Sequence, residues 1–385
     1  MRVLGAKRSW VLWTLFAAVL LLAIPPAQAQ SNGEGTIYSR FGMGSLLDFS
    51  SSQSQAMGGG GYALRSLNYN PDANPALWSD QVYTRLVGGA AYQSISAEDG
   101  RGNSGRLTSG NVQSIQFSFP LSERTLGVGL SFQPYSRSNY SASLTGQESV
   151  GPQQEAEAEY KTTFSGSGGL HRVRGGLGYR INDMLSVGAS ADLLFGVIES
   201  RRRTTWINTQ ALRDAVVSDG VQLSGFTGTL GGHLALADVF ATDDALSIGT
   251  SVTFPTSLSG ERYRTLDEDL ARDTLSVQRG DVTLPWTGRL GVSYQPNTRW
   301  TFVVDGLFDP WSTFSSSFSA GTGATSPSRF PVGGAGTLTD RWRLSTGAEV
   351  VPAGEDNLAG YFAQAAYRFG GYAEQLYVRP NQQTT

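Results

Sequence analysis

The chain has 385 residues, 16% of them charged, with no cysteine and a mean hydropathy of −0.20. That hydropathy is too polar for a bundle of membrane-spanning helices, and the lack of cysteine excludes disulfide staples and thiolate metal sites. Its 29 basic residues, three of them in the first eight positions, face 32 acidic ones, a mildly acidic balance that argues against a nucleic-acid partner.

Residues 1–29 read as a secretory signal peptide. Arg2, Lys7 and Arg8 form a basic start, Trp10–Ile24 is apolar, and Ala27-Gln28-Ala29 is an A-x-A cleavage site. The apolar run is short for a spanning helix. Residues 30–81 are rich in Gly, Ser and Asn and alternate poorly, which predicts a compact, irregular N-terminal segment.

From Val82 the pattern changes. Leu185, Val187, Ala189, Ala191, Leu193 and Phe195 fall on one face of an extended chain, and Ser186, Gly188, Ser190 and Asp192 on the other, the period-two signature of a strand. Thr125–Phe132, Arg289–Tyr294 and Trp300–Phe308 repeat it. The strands expected are Val82–Ile95, Val112–Leu121, Thr125–Tyr135, Tyr160–Ile181, Leu185–Glu199, Val221–Ala237, Ala245–Thr256, Val282–Gln295, Trp300–Phe314, Trp342–Val351 and Tyr361–Val378. Short connections (Ser122–Arg124, Asn182-Asp183, Asp238–Asp244, Pro296–Thr298, Pro352–Asn357) alternate with long ones (Ser96–Gly110, Arg137–Glu159, Ser200–Gly220, Ser257–Gly280, Ser315–Asp340). A soluble sandwich also produces alternation but does not sort its connections this way. Together with the leader, this predicts an all-β fold: a transmembrane antiparallel β-barrel with its apolar face to lipid, spanning residues 82–385. Bacterial single-chain barrels use even strand numbers, so about eleven strands and the polar end at Thr385 imply one strand misdrawn or a C-terminally incomplete barrel.

At Ser54–Leu77 the sequence resembles the plug of FadL-type outer-membrane transporters, which carry an A-M-G-G-A element and then N-P-A before the first strand. Here these are Ala56-Met57-Gly58-Gly59 and Asn74-Pro75-Ala76. Leu284–Thr301 and Asp309–Phe314 look like that family's late strands. Ser39–Gly44, Gly166–Leu170 and Tyr367–Tyr372 look like a Bacteroidetes branch of it. The resemblance implies a fourteen-stranded barrel, about three strands more than this chain shows, with residues 30–81 as a hatch in the lumen. It also implies passive uptake of long-chain fatty acids or other hydrophobic compounds, with no cofactor. The alternative is a FadL-like barrel of structural or secretion-associated role whose extracellular loops bind proteins. Outer-membrane lipid is an expected partner in either case.

Several residues have both a functional and an architectural reading. Gly58–Gly61 lacks the Lys-Ser/Thr and the strand-to-helix setting of a phosphate loop, so close backbone packing is the better reading. Met57, Gly58, Gly59, Asn74, Pro75 and Ala76 are expected to hold the hatch. Gly166, Gly168 and Gly169 mark a strand kink, either an ordinary bulge or, by resemblance, a lateral gap in the wall. Alternation turns Arg172, Arg174, Arg180, Arg289, Asp192, Asp305, Arg343, Glu349 and Arg368 inward. Arg172, Arg174, Arg289 and Arg368 could take a ligand's carboxylate, or pair with acids that hold the plug. His171, placed outward, and His233 lack a serine partner in any recognisable arrangement, so no catalytic residue is assigned. Asp267, Glu268, Asp269 and Asp273 lack the spaced oxygens of a calcium loop, so no metal site is assigned.

Overall fold

Small and polar residues alternate with apolar ones from Arg85 onward, and the structure, a computed structural model, turns that alternation into one antiparallel sheet. It describes residues 36–66, 69, 71–98, 104–150, 156–207, 213–268, 271–318 and 338–379. The leader therefore lies outside the described residues. In chain order the strands are β1 (Ser45–Leu46), β2 (Arg85–Glu98), β3 (Ser104–Ser122), β4 (Leu126–Pro134), β5 (Ser136–Arg137), β6 (Tyr140–Val150), β7 (Ala156–Arg180), β8 (Leu185–Trp206), β9 (Ala215–Ala237), β10 (Ala245–Thr253), β11 (Thr256–Glu268), β12 (Ala271–Leu284), β13 (Thr287–Asn297), β14 (Trp300–Asp309), β15 (Ser315–Ser316), β16 (Arg341–Val350) and β17 (Tyr367–Gln375). Among the described residues there are also two short α-helices, α1 (Ser52–Ala56) and α2 (Tyr361–Gln364), and 3-10 turns at Ile37–Arg40, Pro75–Asp80 and Trp311–Thr313.

Eleven strands form a meander in the order β2-β3-β4-β7-β8-β9-β10-β13-β14-β16-β17, while β6, β11, β12 and β15 branch from it. This is the wall of a FadL-like β-barrel, wrapped around the N-terminal hatch. Among the described residues no register joins β2 to β17. The outward face carries Phe117, Leu130, Phe132, Leu290 and Val292, with Leu290 57% exposed. Gln116, Ser118 and Ser293 on the same strands are buried, Gln116 at 1% exposure.

Several segments depart from the sequence expectation. The run Val282–Gln295 is two strands, because Pro285 lacks the N–H a ladder needs; β12 ends at Leu284 and β13 starts at Thr287. Pro310 likewise ends β14, and a 3-10 turn, Trp311–Thr313, follows. Tyr361–Val378 opens with α2 before β17. Pro255 separates β10 from β11. The segments read as long loops at Arg137–Glu159 and Ser257–Gly280 contain β6 and the β11–β12 hairpin, which are paired with β7 and β9. The strands β7 to β9 run 25, 22 and 23 residues, far beyond the roughly ten a bilayer crossing uses, so their ends project past the membrane with these branches.

Below, the end of the barrel with tight connections is called the short-turn end, and the opposite one the long-loop end. Two of the turns hold Arg124, Asp238 and Asp243 at φ of 52°, 54° and 67°, left-handed positions uncommon for residues other than Gly.

Candidate functional site: the hatch in the lumen

The hatch is stitched locally before it touches the wall. Ser51 caps α1 by accepting from the Ser54 N–H at 3.1 Å, and Ser54 returns the bond to the Ser51 N–H at 3.1 Å. Met57 ends α1, and Gly58, Gly59 and Gly61 follow at φ of 96°, 93° and 83°. In this curl the Gly61 and Tyr62 N–H groups converge on Asp305 of β14 at 2.8 and 3.0 Å. The glycine run is thus an anion-gripping nest whose anion is a carboxylate of the wall itself. Arg343 donates to the Gly58 carbonyl at 2.9 Å. Asn74 accepts from the Ala76 N–H at 3.1 Å, capping the 3-10 turn Pro75–Asp80, and donates to the carbonyls of Tyr62 at 3.0 Å and Gly232 at 3.1 Å.

Around this body the wall presents bare backbone. At Gly127 and Gly129 of β4, Gly178 of β7, Gly188 of β8, Gly231 of β9, Gly249 of β10, Gly347 of β16 and Gly370 of β17, an added Cβ would lie 1.9 to 2.5 Å from a hatch atom. Any larger side chain at these places must move the hatch or the strand. These eight glycines serve this fit rather than turns.

Charge pairs complete the seal. Arg174, fully buried, forks onto Asp192 at 2.7 and 2.6 Å and reaches Asp72 of the hatch at 3.4 Å, the bidentate geometry that makes arginine–carboxylate pairs strong. Arg172 meets the same Asp72 at 3.3 Å, with Gln133 at 3.0 Å. Arg341 gathers Asp48, Asp309 at 3.2 Å and Glu374 at 2.7 Å. Arg289 stands 3.9 Å from Asp48. Arg368 pairs with Glu349, which also accepts from Gln53 of α1 at 2.9 Å. Burial by itself would raise the Asp48 carboxyl, but Arg341 and Arg289 hold it down at about 2. At the short-turn end burial again opposes ionisation of Asp80, and Arg65 and Arg180 outweigh it, so its pKa is lowered. The cavity between Asp48, Gly59, Tyr62, Arg172, Arg174 and Arg289 is about 10 Å³, room for one water.

Above the hatch, toward the long-loop end, the interior turns apolar. Leu170, Leu194, Val221, Leu223, Leu258 and Val282 from the wall and its branches enclose Trp311, Phe314 and Tyr377. Tyr377 lies 4.5 Å from the Trp311 ring, and its hydroxyl accepts from the Met43 N–H at 2.9 Å and donates to the Gly44 carbonyl. At the same height β7 kinks. Gly168 and Gly169 take φ of 89° and 144°, a Cβ on Gly166 would meet the Tyr140 ring at 2.1 Å, and one on Gly169 would meet the Ser136 carbonyl at 2.1 Å. The partner of β7 changes here from β6 to β4, and the intervening β5 dips inward to pair with β1 of the hatch. Tyr135 and Ser138 donate to the carbonyls of Leu170 and Gly168 at 2.8 and 2.9 Å, so backbone fills the kink. His171 sits on the outer face, stacked on Phe132 with ring centres 5.5 Å apart.

The inward arginines expected from alternation are thus brought together with the hatch, each facing a carboxylate. Sequence reasoning missed the hatch-side partners Asp48, Asp72 and Asp80, since an irregular segment offers no period from which to assign faces. The side chains of Asp267, Glu268, Asp269 and Asp273 lie outside those described.

A wall of long antiparallel strands sealed by an N-terminal hatch defines the FadL-like class of barrels. Solved structures agree. A FadL homologue of Pseudomonas aeruginosa is 14% identical, with 88% of this chain and 82% of that one covered at a TM-score of 0.53. The toluene transporter TodX of P. putida is 18% identical, with 86% and 84% covered at a TM-score of 0.50. The chain belongs to the BamG family, whose model matches residues 12–384. The comparison with curated proteins found no match.

Proposed function

We propose that this chain is a sealed outer-membrane barrel, a structural or secretion-associated component that works by binding other proteins rather than by conducting solutes. One observation carries this: the hatch backbone rests directly on glycines of seven wall strands while buried ion pairs tie it down. A hatch so wedged has no space to swing without displacing strands. On this reading residues 1–29 are cut away on export, residues 30–81 form the hatch and residues 82–385 the wall. The short-turn end faces the periplasm, and the long-loop branches, with an outer-wall groove of about 480 Å³ between Trp286, Phe308 and Trp342, face lipid and partners.

A second reading is a channel for hydrophobic or amphipathic small molecules such as long-chain fatty acids. The apolar interior above the hatch favours it, as does the likeness to proteins described as toluene transporters. Reconstitution separates the two. Planar bilayers holding the purified protein should stay electrically silent, and vesicles holding it should take up toluene or oleate no faster than empty ones. Uptake above that background would transfer the argument to the channel, with Arg172, Arg174, Arg289 and Arg368 as candidate contacts for a carboxylate head group.

A further inference from the structure

The short-turn mouth of the lumen holds a cavity of about 280 Å³ lined by Arg65, Ser66, Asp80, Arg124 and Arg180. Three guanidinium groups thus share one carboxylate. Asp80 pairs with both Arg65 and Arg180, leaving the mouth with an excess of two positive charges. The Arg180 Nε is buried and, among the described residues, has no hydrogen-bond partner. On β9, in register with Arg180 across Ser186 of β8, lies His233, 2% exposed, whose Nε2 likewise has no partner among the described residues. A buried polar nitrogen left unmatched is costly in a finished core, so the Arg180 Nε on the wall of a cationic cavity, with the His233 Nε2 nearby, marks a place built for a further polar group. Arg124 completes the rim. It sits at φ 52° in a tight turn, fixed by its N–H to the Gln81 carbonyl at 3.0 Å, where Gly or Asn would be less strained.

We propose that this mouth binds a carboxylate or phosphate anion between Arg124 and the Arg65–Arg180 pair. Planar guanidinium forks match the paired oxygens of either group. The anion shares Arg65 and Arg180 with Asp80, the last residue of the 3-10 turn that carries Trp78, itself fully buried against Gly127 and Gly129 of β4. Occupation therefore loosens the tie between that turn and β7 and changes the surroundings of the Trp78 ring. The site is independent of whether the barrel conducts.

The test is a titration of the full chain in nanodiscs, at constant ionic strength in chloride, with inorganic phosphate and with a short peptide bearing a free C-terminal carboxylate. Tryptophan fluorescence and calorimetry are the readouts. Saturable binding is expected, weakened about tenfold or more in Arg124→Asn, a loss of one charge-assisted bond at a turn position Asn tolerates, and less in Arg124→Lys. A peptide that binds where its amidated form does not identifies the source as a chain terminus; phosphate binding without the peptide identifies a free anion. Binding that fails to saturate, or that is equal in the parent and Arg124→Asn, overturns the proposal.

Discussion

The two levels of the lumen are held by opposite means. Toward the long loops, Trp311, Phe314 and Tyr377 pack among Leu and Val side chains, and the driving force is removal of apolar surface from water. Toward the short turns the apolar contacts between hatch and wall are small and scattered, Met57 and Leu64 on Val303, Tyr62 and Ala73 on Leu307, and Trp78 on Gly127 and Gly129. Between those contacts bare glycine backbone, hydroxyls and arginine–carboxylate pairs meet, and stability depends on close backbone approach and on Asp48, Asp72 and Asp192 keeping their guanidinium partners. The first arrangement tolerates repacking of its side chains; the second fails when one partner goes missing.

The largest break expected is Arg174→Ala, which strands Asp192 as a buried carboxylate without its guanidinium and leaves Asp72 to Arg172 alone, and should cost about 3–5 kcal/mol in urea unfolding from vesicles. Trp311→Ala should cost a similar ~3–5 kcal/mol through the cavity it leaves, yet the hatch should keep its protection from protease, which Arg174→Ala should lose. Equal protease sensitivity in the two variants would erase the distinction between levels. Gly188→Val places a branched side chain where Pro75 already lies and should cost about 1–3 kcal/mol, read as a lowered unfolding midpoint and a cleavable hatch. Asn74→Ala removes a cap and two further bonds for about 1–2 kcal/mol, without exposing the wall to cleavage. A further break is in pH. Asp48 ionises at about 2 in the folded state against 3.8 for the free group. Its stabilising contribution is therefore complete above 3.8 and is lost as pH falls toward 2. Hatch protection should therefore lose a component between about pH 4 and pH 2, and Asp48→Asn should remove that component.

The apolar side of this molecule was legible in its sequence because period two writes it down. Leu290 and Val292 outward, Gln116, Ser118 and Arg174 inward, all follow from counting alternate residues. What counting missed has physical causes. The strands β6, β11 and β12 bury apolar side chains mainly where they join the wall, at Tyr140, Leu258 and Val282, and elsewhere carry too many polar residues for an apolar stripe to mark them. Pro255, Pro285 and Pro310 cut three runs that alternation alone joined. The glycines read as a sign of barrel composition, whereas their use, close approach of a second backbone, exists only once the hatch is in place. Asp72 and Asp80 were invisible for the same reason, since an irregular segment has no register and its charges acquire meaning only from the wall they meet.

Tyr377 gives these contacts a temporal dimension. Its hydroxyl reaches back 334 positions to the Met43 N–H, and burial raises its pKa, keeping the proton it donates to Gly44. No shorter stretch of chain can make that connection, and its loop-closure entropy is recovered only after β2 through β17 have been laid down. The first-made part of the chain must wait, loosely tethered, for the last to arrive. A wall without β17 and Tyr377 lacks this latch, so among the described strands the one laid down last fastens the segment laid down first.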